Sequence, residues 1–161
     1  MPDRSETERI RANPVDEIHD FFDEAPQPGL RMRLRGEARR LSTQHARLDT
    51  FCEMVSDALR RGSLSGARLA FMRFSDALDA HVTLEDQVFF PALRGLRPDL
   101  TESLTRLVHE HTTIRNDLEQ LRDLLSAGSA EAFERDFSCL CDFICEHERT
   151  EDEVLRPARE A

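Results

Sequence analysis

Two stretches decide the fold: HVTLEDQVFFPA at residues 81–92 and HERTEDEVLRPA at residues 147–158. They share the string His-x3-Glu-Asp-x-Val-x2-Pro-Ala at a spacing of 66 residues. The same spacing relates His45 to His111 and Gly62-Ser63 to Gly128-Ser129, and no gap is needed anywhere between. Nine matches in one register describe a duplicated unit. Outward from these strings, apolar residues recur three and four apart, the spacing of amphipathic helices. Leu41, Leu48, Cys52, Val55 and Leu59 stripe a first helix over about residues 31–61, and Phe71, Phe74 and Leu78 a second over about 65–93. A third starts near Asp99, whose Asp-x-x-Glu to Glu102 reads as a capping box, and carries Leu104, Leu107, Ile114, Leu118, Leu121 and Leu125. A fourth starts near Ser129 and carries Phe133, Phe137, Leu140, Ile144 and Val154. The links are short, which makes neighbours antiparallel. The expected fold is all-α, an up-down-up-down four-helix bundle built from two repeated helical hairpins.

Composition agrees. The 161 residues suit one domain, and they include 10 Phe but no Trp or Tyr, few glycines and 34% charged side chains. No apolar run approaches the ~18 residues of a membrane span. A net charge of −10 argues against nucleic acid as a partner, and all 22 basic residues are Arg. The polar start of the chain predicts no secretion signal and hence a cytoplasmic protein. Residues 1–29 read as an N-terminal arm. Asn13-Pro14 caps a short amphipathic helix with Val15, Ile18, Phe21 and Phe22, and Pro26 to Gly29 ends it. The bundle takes residues 30–161.

The hairpins fix heights as well as faces. Each histidine of the set His45, His81, His111 and His147 stands 17 or 18 residues from its Gly-Ser turn. At ~1.5 Å of rise per residue, all four lie ~25 Å from the turn end of the bundle, in one layer. His45 falls between Leu41 and Leu48, and His111 between Leu107 and Ile114. His81 follows Leu78, and His147 follows Ile144, so all four point inward. Glu85 and Glu151 lie four residues after His81 and His147, one turn on along the same faces. Two carboxylates buried without partners would be prohibitively costly. Lys is absent, and Arg115 is the sole inward candidate among the arginines. Two divalent cations neutralise such a layer economically, each taking two histidines and sharing the glutamates. Fused 2-His-carboxylate sites with open positions suit non-haem iron, joined by an oxo or hydroxo bridge; zinc, which favours closed sites or His-rich open ones, ranks second.

At these residues the chain resembles the hemerythrin-like (HHE cation-binding) family. His45, His81-x3-Glu85, His111 and His147-x3-Glu151 carry the resemblance, together with Glu110-His111, Ile114-Arg115 and Phe90-Pro91-Ala92-Leu93, over about residues 35–158. The resemblance implies a non-haem di-iron centre in a four-helix bundle. Oxygen-carrying members have a second histidine four residues after the one in the third helix, where this chain has Arg115. The four-histidine, two-glutamate set is closer to the iron–sulfur cluster repair branch, which also carries an N-terminal domain with a cysteine pair that is not seen here.

Other residues read more plainly. Asp86 and Asp152 lie about 100° round the helix from the glutamates, so they are read as solvated or interhelical, with a supporting role to a ligand imidazole as the minority reading. His109 points away from His111 and reads as a surface residue, and His19 as structural. Of the four cysteines, Cys139, Cys141 and Cys145 crowd one helix and read as small buried reduced hydrophobes, and Cys52 as packing below His45. Arg31, Arg33, Arg35, Arg39 and Arg40 form a solvated basic face or a dock for an acidic partner.

The expected function is a cytosolic di-iron protein that binds or reduces a small oxidant: dioxygen, peroxide or nitric oxide. A reductase of this kind needs an unidentified electron donor, and without Tyr or Trp it has no tyrosyl-radical relay. The alternatives are a sensor or binding module for oxygen, nitric oxide or iron without turnover, and an iron donor for iron–sulfur cluster repair. No nucleic acid or membrane partner is expected.

Overall fold

The structure is a computed structural model that describes residues 28–160. Five α-helices follow one another: α1 (Pro28–Arg60), α2 (Leu64–Leu84), α3 (Phe90–Leu96), α4 (Thr101–Ser126) and α5 (Ala130–Glu160). A π-helical turn, Glu85–Phe89, joins α2 to α3, so the two run on as one rod. Each rod packs on two others: α1 on α2 and α5, and α4 on α5 and α2. This is the four-helix arrangement read from the repeat. There is no strand among the described residues, and no described helix is long and apolar enough to cross a membrane. The short helix read over residues 14–25, with His19, lies outside the described residues.

The two hairpin turns are built alike. Gly62 and Gly128 take positive φ, +66° and +72°, which an L side chain would resist. Ser63 then donates its backbone N–H to Ala58 and Ser129 to Leu124, while Gly62 donates to Leu59 and Gly128 to Leu125. These paired bonds satisfy the last carbonyls of α1 and α4 in the Schellman pattern. The Ser63 hydroxyl accepts from Gly66 N–H at 3.2 Å and so caps α2.

A polar layer splits the core in two. On the turn side, Phe71, Phe74, Phe133 and Phe137 interlock, with ring centres 5.3–6.3 Å apart. Leu48, Leu78, Ile114, Leu118 and Leu140 extend that cluster. Edge-to-face pairs of this kind add about 0.5–1.5 kcal/mol beyond their buried area. On the far side, Leu41, Phe89, Phe90, Leu93, Leu104 and Leu107 make a second apolar cluster. The layer between them holds the four histidines and two glutamates.

Three local expectations need correction. The third long helix begins at Thr101, not through a capping box at Asp99. Asp99 sits in a 3-10 turn, Pro98–Leu100, and its carboxylate accepts from Arg97 at 2.6 and 2.8 Å, while the start of the helix has no side-chain cap. The second helix is not continuous α-helix to residue 93. The π turn inserts one extra residue just at Glu85, which lets both Phe89 and Phe90 face the core. Pro91 alone does not explain it, because Pro157 occupies the repeat-related place and α5 runs on unbroken.

The third correction concerns sulfur. Cys52 of α1 and Cys141 of α5 form a disulfide, where reduced thiols were expected. Cys139 and Cys145 are exposed free thiols rather than buried hydrophobes. The spacing along each helix gave no sign of the bond, since it depends on how two distant helices face each other. The basic stretch is a solvated face at Arg33, Arg35, Arg39 and Arg40, and Arg40 pairs with Glu37 at 3.1 Å.

Candidate metal centre

Each rod delivers one histidine into the layer, and the rods containing α2 and α5 each add a glutamate. All six side chains are buried, Glu85, His111 and Glu151 completely. His45 and His81 meet Nε2 to Nε2 at 3.1 Å, and His111 and His147 do the same in the second hairpin. Glu85 spans the two pairs, with Oε1 3.4 Å from His81 Nε2 and Oε2 3.2 Å from His111 Nε2. Glu151 reaches back across the bundle, its Oε2 3.3 Å from His45 Nε2. Two donor groups result: His45, His81, Glu85 and Glu151, and Glu85, His111 and His147. Phe90 stacks on the His111 ring, its centre 5.7 Å away, and shields that side.

The outer ring nitrogens are held too. His111 donates its Nδ1–H to Asp86 at 2.7 Å, His147 to Glu110 at 2.6 Å, and His81 to Gln44 Oε1 at 2.9 Å. A proton fixed on Nδ1 leaves Nε2 as a lone pair aimed into the layer. Asp86 is therefore interhelical rather than solvated, and the imidazole N–H it accepts is the contact that the minority reading named. Its second oxygen accepts from Arg115 at 2.9 Å, and Arg115 also reaches Asp79 at 3.5 Å. Arg115 thus braces a partner of His111 from outside and is not a countercharge inside the layer. Gln44 escaped the reading of the sequence, and Glu110 entered it only beside His111 in the family resemblance, without a role. They were legible as neighbours of His45 and His111, because a residue one step from an inward histidine faces the adjacent helix. His109 is exposed, as expected.

Electrostatically the layer is a set of acceptors short of a cation. Both oxygens of Glu85 and both of Glu151 are buried and accept no hydrogen bond. Burial, and then the charge of Glu151, drive the Glu85 carboxyl well above its usual range. Burial lowers His81 to about 3, with the charge of His45 adding to it, and burial also lowers His111 and His147. Burial works against a proton on His45, but Glu151 and other carboxylates outweigh it and raise that histidine. Glu151 is lowered in turn: burial opposes its charge, and His45 and the other histidines more than offset this. Four orphaned carboxylate oxygens and two facing pairs of imidazole nitrogens fit a metal cation and little else.

Residues 37–158 match the Hemerythrin HHE cation binding domain. The chain belongs to that family. It is a hemerythrin-like cation-binding domain on an all-α bundle, and the resemblance read at the two His-x3-Glu strings was correct. No curated protein and no solved structure matches the chain.

Proposed function

We propose that the hemerythrin-like layer holds two iron ions and that the protein binds or reduces a small oxidant: dioxygen, peroxide or nitric oxide. The single observation behind this reading is the buried acceptor cage, with Glu85 spanning two histidine pairs. His45, His81, Glu85 and Glu151 would hold one ion, and Glu85, His111 and His147 the other. Histidine and carboxylate together suit iron, and a set of three or four protein donors leaves coordination positions for an outside ligand. Bound iron would supply electrons and a place for the oxidant to bind.

The chain's own part is positional. Asp86, Glu110 and Gln44 lock three imidazoles with Nε2 inward, so no ring must turn before it binds. Phe90 and the two apolar clusters wall the layer off from bulk water. Apolar walls of this kind favour the entry of a small uncharged ligand over that of an ion. The partners in this reading are the small oxidant and an outside electron donor, and the setting is the cytoplasm.

Anaerobic loading with ferrous iron tests it. Bound iron near two per chain is expected, followed by a change in near-ultraviolet absorption on exposure to oxygen, peroxide or nitric oxide. The missing Trp and Tyr leave the ~280 nm region uncluttered. Loaded protein that responds to none of the three would reject the oxidant role.

A further inference from the structure

The duplication lets the two hairpins be compared position by position, and they differ sharply beside the metal layer. A groove of about 630 Å³ opens between α1 and α2. Gln44 and His81 form part of its lining, together with Arg47, Phe51, Arg73, Asp76 and Ala77. The Arg47 guanidinium lies over Phe51, 5.3 Å from the ring centre, which holds it against the wall. In the second hairpin, the 66-residue register puts Thr113 in place of Arg47 and Cys139 in place of Arg73. Glu110, Asp117 and Glu146 stand where the first hairpin has Gln44, Phe51 and Ala80, and Asp142 answers Asp76. One lining therefore carries two guanidinium groups against a single carboxylate. Its counterpart positions carry four carboxylates and no basic side chain, which is the more expected arrangement in a chain of net charge −10.

We propose that the α1–α2 groove binds a small monovalent anion, a carboxylate or oxyanion, and presents it to the His81 side of the metal layer. The destination rests on the metal reading; the anion site stands on the groove itself. A concave wall focuses the field of its charges, so two arginines there attract an anion more strongly than on a flat face. The planar guanidinium matches a carboxylate or oxyanion through paired N–H donors. Gln44 completes the chemistry. Its carbonyl oxygen serves His81, which leaves the amide N–H2 as a donor at a place where a carboxylate like Glu110 would repel. The acidic second hairpin would turn the same anion away. The inequality of the two sides gives the approach a direction.

Formate is a suitable probe, with formamide as its neutral match in shape. Titrating formate into 15N-labelled protein should give saturable shifts at Gln44, Arg47, Arg73 and Ala77, and none at Thr113, Asp117 or Cys139. Formamide should leave the groove signals in place. The exposed pair Arg47→Gln/Arg73→Gln should weaken formate by about tenfold or more, which is ~1.4 kcal/mol, without shifting the thermal melt. Arg73→Gln alone should weaken it less. Shifts that fail to saturate, that formamide reproduces, or that survive the double substitution would overturn the proposal. The titration is run on metal-free and on ferrous-loaded protein. A chain that takes up no iron refutes the metal reading, while the groove signals of the metal-free sample still decide the anion site.

Discussion

His111 and His147 face each other Nε2 to Nε2 at 3.1 Å while their outer nitrogens are tied to Asp86 and Glu110. Two lone pairs held that close repel unless a cation lies beside them. His45 and His81 face each other in the same way, so removing a ring from either pair should cost metal rather than fold. Iron content by elemental analysis is expected to drop from about two per chain to one or fewer in His147→Ala and His81→Ala. His109→Ala, on an exposed position two residues from His111, should bind as the parent does. Equal losses in all three would contradict the placement of the site.

Cation binding should also hold the bundle together. An ion that binds the folded chain alone adds about 2.7 kcal/mol at a hundred times its dissociation constant. For a chain of this size that is a rise in melting temperature of about 5–10 °C. A chelator should reverse it. The measurement is a pair of thermal melts with and without ferrous iron under nitrogen.

Glu85 should act in opposite directions on fold and metal. Its carboxyl is fully buried, accepts no hydrogen bond, and is pushed up by burial and by Glu151. Glu85→Gln removes that liability, so the metal-free variant should be more stable than the metal-free parent by about 1 kcal/mol or more. The same change replaces one of the two oxygens by which the carboxylate spans the histidine pairs and removes its charge, so iron affinity should fall. A variant that loses stability and keeps its iron would show that Glu85 does not bridge the pairs.

In the metal-free protein the His81 ring should stay neutral far into acid. Burial lowers it to about 3, with His45 adding to the effect, whereas an unfolded chain protonates near 6.5. The unfolded state then binds more protons between those values. The part of stability that depends on His81 is therefore full above about pH 6.5 and declines as the pH falls toward 3. Long-range 1H–15N spectra of the imidazole, followed across that range, read the titration directly.

The disulfide should be a measurable clamp. Cys52 and Cys141 lie 89 residues apart in sequence and join α1 to α5, a contact no turn enforces. Reduction should lower stability by about 2–4 kcal/mol. Alkylation of the native protein should label Cys139 and Cys145 alone, and all four cysteines only after reduction and unfolding. Four labelled thiols in unreduced, unfolded protein would mean the bond is absent.

The long-range plan was legible because duplication wrote it twice. Positions such as His45 and His111 could be aligned without any structure, and helical rise converted their distances from Gly62 and Gly128 into a common height. Features that depend on how helices face one another were harder to see. Asp86 looked outward by its angle on its own helix, yet that angle aims it at α4 and His111. Cys52 and Cys141 belong to opposite halves, and each read as packing on its own helix. The start at Thr101 turned on a local partner the spacing did not show, since the Asp99 carboxylate pairs with Arg97 and not with a helix N–H.

The π turn at Glu85 has a consequence for how the two halves relate. Two separate copies of one hairpin, paired about a two-fold axis, would have to carry that widened turn in both or in neither. Fused in a single chain, the halves escape that constraint, and only the first has it. Covalent linkage thus let one carboxylate be re-aimed independently of its twin. The pocket can be lopsided because its scaffold no longer has to be its own mirror in sequence.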